Sequence, residues 1–154
     1  MSQATMSLNL DLLCASNGFE IAAEVIEAVL GASQKEPDDA KRHEKAAKSA
    51  ENLITRALGV LQGQGVYAMF LYLEAKKETG YVPLRDRCVA LIDKVTGNQP
   101  GRQGSLLQEL CKEQSVLANL PTLLLVKRTM EQALTYARYH AKAAGVKAGD
   151  GNGK

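Results

Sequence analysis

The chain has 154 residues, 45% of them hydrophobic and 23% charged, with a formal net charge of +2. That balance excludes a disordered polymer, leaves enough apolar material for one domain with a continuous core, and does not by its total point to nucleic acid. The charge is unevenly placed: residues 1–31 carry four acids and no base, whereas residues 121–154 carry six bases and two acids. Such polarity suits head-to-tail contact, or a polyanion held on one side.

In chain order, residues 1–5 read as a loose start. Leu8, Leu10, Leu12 and Leu13, then Phe19, Ile21, Ala22, Val25, Ile26, Val29 and Leu30, mark a first helical region. Asn17-Gly18 is expected to split it, and Gly31 to end it. After a loop, Pro37 and Asp38 open a second helix that reaches about Leu61, since proline suits a first turn and acids complement the helix dipole there. At ~100° per residue, Ala50, Ile54, Ala57 and Leu61 share one side. Lys41, Lys45, Lys48, Asn52 and Arg56 share the opposite side, with Arg42 nearby. A solvated surface face is the plain explanation of that stripe.

The run from Val66 to Leu73 has no polar face, and good helix formers continue it. Residues 64–78 are therefore expected to form a helix covered on all sides, with Gly63 and Gly65 as the corner before it. Pro83 begins a fourth helix over residues 84–95 with Cys88, Leu91, Ile92 and Val95 inward. Residues 96–104 form a turn-rich loop. Ser105 and Gln108 match a capping box and predict a fifth helix to about Asn119. Pro121 starts the last helix, expected to end near Ala144, with Leu123, Val126, Met130, Leu134, Ala137 and Ala141 inward. Lys127, Arg138 and Lys142 share another face with Glu131, and Arg128 borders it. No strand pattern and no fixed-period repeat occurs. The predicted fold is all-α, a compact bundle of five to six antiparallel helices around a buried central helix. The predicted domain spans residues 1–145, followed by a flexible Gly-rich tail over residues 146–154.

Most catalytic signatures fail. His43-Glu44 lacks the second histidine of H-E-x-x-H, because Ala47 stands in its place, and no Glu-x-x-His pair exists. His140 stands far from His43, and with scattered cysteines no zinc site is expected. Gly63-x-Gly65-x-x-Ala68 fits the dinucleotide pattern only on paper, because that pattern works after a strand. Asp86 and Asp93 read as one ordinary helix face. No catalytic residue, cofactor or metal is expected. Cys14, Cys88 and Cys111 read as small core residues. With no C-x-x-C and no basic-then-apolar leader, a cytoplasmic location is expected. No apolar run approaches the ~18 residues of a membrane span.

The stretch Leu58-Gly-Val-Leu-Gln-Gly-Gln-Gly-Val-Tyr-Ala-Met-Phe-Leu-Tyr-Leu73 resembles the small α-helical subunit of type III (Cmr-type) CRISPR effector complexes. There an amphipathic helix ends in a Gly-containing turn and an apolar helix follows. Val126-Lys-Arg-Thr-Met-Glu-Gln-Ala-Leu-Thr-Tyr-Ala-Arg-Tyr139 looks like the last helix of that family. The likeness covers roughly residues 45–78 and 120–144. It implies a non-catalytic subunit of an antiviral ribonucleoprotein. Its copies would stack as a filament among other effector subunits, with basic faces on the backbone of a guide RNA–target RNA duplex. The candidate contacts are Lys41, Arg42, Lys45, Lys48 and Arg56, with Lys127, Arg128, Arg138 and Lys142 on the last helix. The alternatives are a helical protein–protein adaptor without nucleic-acid binding, and an enzyme whose site the sequence does not reveal.

Overall fold

The computed structural model describes residues 9–32, 38–101 and 104–150, with side chains described to residue 147. Six helices pack in a compact bundle: α1 Leu10–Ala32, α2 Asp39–Gln64, α3 Val66–Ala75, α4 Tyr81–Thr96, α5 Leu106–Leu110 and α6 Leu120–Asp150. There is no strand among the described residues. None of the described helices is long and apolar enough to cross a membrane.

Helix starts follow local chemistry. The Asp38 carboxylate accepts from the amides of Ala40 and Lys41 at the head of α2. Asn9 accepts from Leu12 N–H before α1, and Asn119 from Thr122 N–H before α6. Each satisfies amides that a helix leaves without partners. Pro37 lies outside the described residues, so the start of α2 rests on Asp38.

The centre of the bundle is made by α1, α2 and α6, with the most extensive contact between α2 and α6. Small residues permit it: Ala46, Ala47, Ala50 and Ala57 of α2 are buried, as are Ala133, Ala137 and Ala141 of α6. A Cβ on Gly145 would sit 3.4 Å from that of Ala47, so the far end of α6 lies over the beginning of α2. Along α1, Cys14 donates to Thr129 C=O at 3.4 Å, Gly18 lies against the segment from Ala133 to Ala137, and Phe19 meets His140. The two numberings rise together, so α1 and α6 run in the same direction.

Asn17-Gly18 does not split α1. Gly18 is buried inside one continuous helix, where a Cβ would stand 2.6 Å from Tyr136 Cβ and 2.9 Å from both Ala133 O and Ala137 N. The glycine serves a close helix crossing and not a turn. The corner between α2 and α3 is Gly65 alone, at φ +104°, since α2 continues through Gly63 to Gln64. Left-handed backbone of this kind favours glycine.

The apolar helix α3 is shorter than expected and is covered on one face. Val66, Met69, Phe70 and Leu73 are buried, whereas Tyr67 and Leu71 remain 36% and 48% exposed. It lies beside α2 and α4 and ends at Lys76 in extended backbone. Helix α4 takes in Pro83 within its first turn and stops at Gly97 in the left-handed region, whose N–H bonds Asp93 C=O at 2.7 Å. The fifth helix is a single turn and more, not the long helix expected. Ser105 makes no side-chain capping bond, and Glu109 instead accepts from Gly101 N–H. Beyond it the Ser115 hydroxyl donates to Leu110 C=O at 2.9 Å and accepts from Leu117 N–H. Serine thus competes for the groups a helix would use. Helix α6 runs past Ala144, so residues 146–150 of the predicted tail are helical. Residues 151–154 lie outside the described region.

Cys14 and Cys88 are core residues, and burial pushes their thiols up, that of Cys88 to about 12. Cys111, expected in the core, is exposed, because it falls where the predicted helix gives way to turns.

Candidate nucleic-acid interface

Helix α2 buries Ala46, Ala47, Ala50, Leu53, Ile54, Ala57, Leu58 and Leu61, which turns the opposite face to solvent. Lys41, Lys45, Lys48, Asn52 and Arg56 are all exposed there. From Lys41 to Arg56 the stripe covers about 22 Å of helix at 1.5 Å per residue. Gly59 continues it at helical spacing, and a Cβ there would meet nothing within 4 Å. Arg42 stands apart from the stripe. Its side chain is half-buried, 3.8 Å from Asp39, and its Nε is buried without a hydrogen-bond partner among the described residues.

The α6 candidates divide. Arg128 and Lys142 are exposed on the side away from the core, together with Leu124, Tyr139 and Val146. Lys127 and Arg138 are half-buried on its flank. Lys127 lies 3.8 Å from Glu131, and the Arg138 guanidinium lies over the Tyr139 ring at 5.4 Å. Each stripe is opposite the buried face of its own helix, and those buried faces meet. The two stripes therefore point away from each other and do not converge on one surface.

Charge organisation invisible in the sequence joins α1 to α4. Arg87 holds Glu24 through two bonds of 2.6 and 2.7 Å and Glu20 through one of 2.8 Å. The Arg87 bonds hold the Glu24 carboxyl below its usual range, against the upward push of burial. The partners lie 63 and 67 positions away, so no local pattern could have paired them. The sign of the linkage is definite. A lowered folded-state pKa contributes stability above the unfolded value near 4.5, and that contribution is lost as pH falls through the folded value. The carboxylates are more than a third exposed, so solvent screening limits the effect to about 1 kcal/mol. The Tm difference between wild type and Arg87→Met is expected to be present at about pH 6 and to shrink toward about pH 3. A difference that stays constant over that range removes the ion pair as its source.

Other polar groups are structural. Tyr72 and Tyr81 join hydroxyls at 3.0 Å with their rings edge to face, and Lys76 lies 5.1 Å from the centre of the Tyr72 ring. The Tyr136 hydroxyl donates to Asp11, which also accepts from Gln132. Asp86 pairs with Arg85, which also reaches Glu74 at 3.2 Å. His43 is exposed, and His140 packs edge-on against Phe19. No group of three metal-ligating side chains occurs among the described residues. Gly63 and Gly65 lie between two helices, without the strand a dinucleotide loop follows.

At its Arg56 end the α2 stripe opens on a cleft of about 500 Å³ between the end of α1, α2 and the turn from α3 to α4. Lys77 lines it with Arg56. Sequence reasoning missed Lys77 because it lies past the end of α3 and shares no helical face with the stripe. No protein family, curated protein or solved structure matches this chain.

Proposed function

We propose that the chain is a non-catalytic structural subunit of a cytoplasmic RNA-guided effector of the type III (Cmr-type) CRISPR class, acting in antiviral defence. Its α2 face would lie along the backbone of the guide RNA–target RNA duplex. The observation that carries this reading is the exposed α2 stripe of Lys41, Lys45, Lys48 and Arg56, set on a rigid helix over about 22 Å. Lysine and arginine at that spacing neutralise successive phosphates without reading bases. Arg128 and Lys142 of α6 offer a second, separate contact, suited to another strand or to a neighbouring subunit. Stacking of copies in a filament would rest on the exposed outer faces of α1 and α6, since Asp11, Glu20 and Glu24 are already engaged within the chain.

Anisotropy titration of a 20-bp RNA duplex across a salt series tests the reading. Wild type is expected to lose affinity steeply with salt. Lys41→Glu/Lys45→Glu/Lys48→Glu is expected to bind at least about tenfold more weakly, with a salt slope smaller by about 2. Equal affinity and slope for the two proteins would refute the α2 contact.

A second reading, a helical adaptor that binds only protein, is favoured by the apolar side chains on the outer faces of α1 and α6. Leu12, Phe19, Leu124, Tyr139 and Val146 are each more than half exposed. Binding of effector subunits without any binding of RNA selects it.

A further inference from the structure

The cleft between the end of α1, α2 and the α3–α4 turn joins Arg56 and Asn52, at one end of the α2 stripe, to groups that neither proposed partner surface uses. Its floor is apolar, formed by Val29 and Leu53. Ser49 and Asn52 add a hydroxyl and an amide from α2. Arg56 and Lys77 bring positive charge from two different elements, and both are exposed. Neither makes an ion pair or hydrogen bond among the described residues. Glu78, on the same lining, likewise has no ion pair there. Gly80 closes the floor, where a Cβ would stand 2.6 Å from Leu53 Cδ1. The floor is thus tightly packed at Gly80.

Two unpaired cations over an apolar floor select a ligand with an anionic end and a flat or apolar body. At about 500 Å³ the cleft exceeds what one phosphate needs and lies in the range of small-molecule sites. We propose that it binds a single nucleotide unit. Arg56 and Lys77 would hold the phosphate, Ser49 and Asn52 would donate to it or to the base edge, and the base would cover Val29 and Leu53. The Glu78 carboxylate would accept a ribose hydroxyl, a group that distinguishes RNA from DNA. The unit is either a free nucleoside phosphate or one residue of a single strand. The site shares Arg56 and Asn52 with the α2 stripe, whereas Lys77, Glu78 and the floor lie off it, so nucleotide binding is separable from the duplex contact of Lys41, Lys45 and Lys48.

Amide NMR titration of the full chain, with AMP, hexaadenylate and inorganic phosphate as separate probes, tests this. AMP or hexaadenylate is expected to shift the amides of Asn52, Leu53, Thr79 and Gly80. Shifts with AMP alone assign a free nucleotide, and shifts with hexaadenylate assign a strand. Inorganic phosphate is expected to bind more weakly than AMP, since it leaves the floor uncovered. Arg56→Gln/Lys77→Gln, checked for an unchanged Tm, is expected to weaken nucleotide binding at least about tenfold, as loss of charge-assisted bonds does. Lys41→Glu/Lys45→Glu/Lys48→Glu is expected to leave AMP binding within about twofold while weakening the duplex, which separates this site from the duplex contact. Absence of shifts with both nucleotides overturns the proposal. So does unaltered affinity in the double variant, or phosphate binding as tight as AMP.

Discussion

Replacing Gly18 with alanine is expected to lower the stability by roughly 2 kcal/mol or more, although alanine is the better helix former. In an exposed helix interior the change gains about 1 kcal/mol. At Gly18 the new Cβ would meet Tyr136 Cβ at 2.6 Å and the backbone atoms Ala133 O and Ala137 N at 2.9 Å. Two of those three neighbours are backbone of α6 and cannot swing aside as a flexible side chain would. The helices must separate, and the Cys14–Thr129 bond and the Asp11–Tyr136 bond on the same seam would loosen with them. A Tm lower by on the order of 4–8 °C follows for a chain of this size. Gly59→Ala is the internal control. Its Cβ meets nothing within 4 Å, so the same substitution is expected to raise the Tm. A Gly18→Ala protein as stable as wild type would show that α1 and α6 do not cross at this glycine.

Phe70→Ala is expected to cost about 3–5 kcal/mol, the usual range for emptying a fully buried aromatic site. Phe70 is completely buried, with Val66, Met69 and Leu73 on the same face of α3. Its neighbour Leu71 is 48% exposed, and Leu71→Ala is expected to stay within about 0.5 kcal/mol of wild type, as surface changes do. Denaturant midpoints for the two variants measure how one-sided the burial of α3 is. Similar large losses at both positions would restore the picture of a helix covered all round, with Leu71 buried against something in solution.

The physical origin of that asymmetry is instructive. Residues 66–73 carry no charged side chain, and Tyr67 and Tyr72 supply their only hydroxyls, which constrains composition but not geometry. Helix α3 packs beside α2, α4 and α5, outside the centre formed by α1, α2 and α6, where α2 and α6 already bury each other through their alanines. The Ala-rich seam was readable as an apolar stripe on α2, yet which helix would fill it depended on the approach of α6. Likewise the α2 basic stripe was legible from helical periodicity alone, because an amphipathic helix needs no partner identity to define its outer face. The sequence set Arg42 beside that stripe, but its half-burial near Asp39 depends on the packed side chain.

The sequence by itself determined the helical class, the approximate positions of the long helices, the Asp38 start, the glycine corner before α3 and the outward placement of Lys41, Lys45, Lys48 and Arg56. All of these arise from interactions within a few residues, namely capping, left-handed glycine and the 3.6-residue period. Tertiary structure alone decided that Gly18 is a crossing point and not a break, that α6 aligns with α1, and that Arg87 clasps Glu20 and Glu24. It alone decided that the two basic stripes point apart and that Lys77 joins Arg56 over one cleft. Those outcomes depend on groups dozens of positions apart meeting at a fixed distance, and no local rule carries that information.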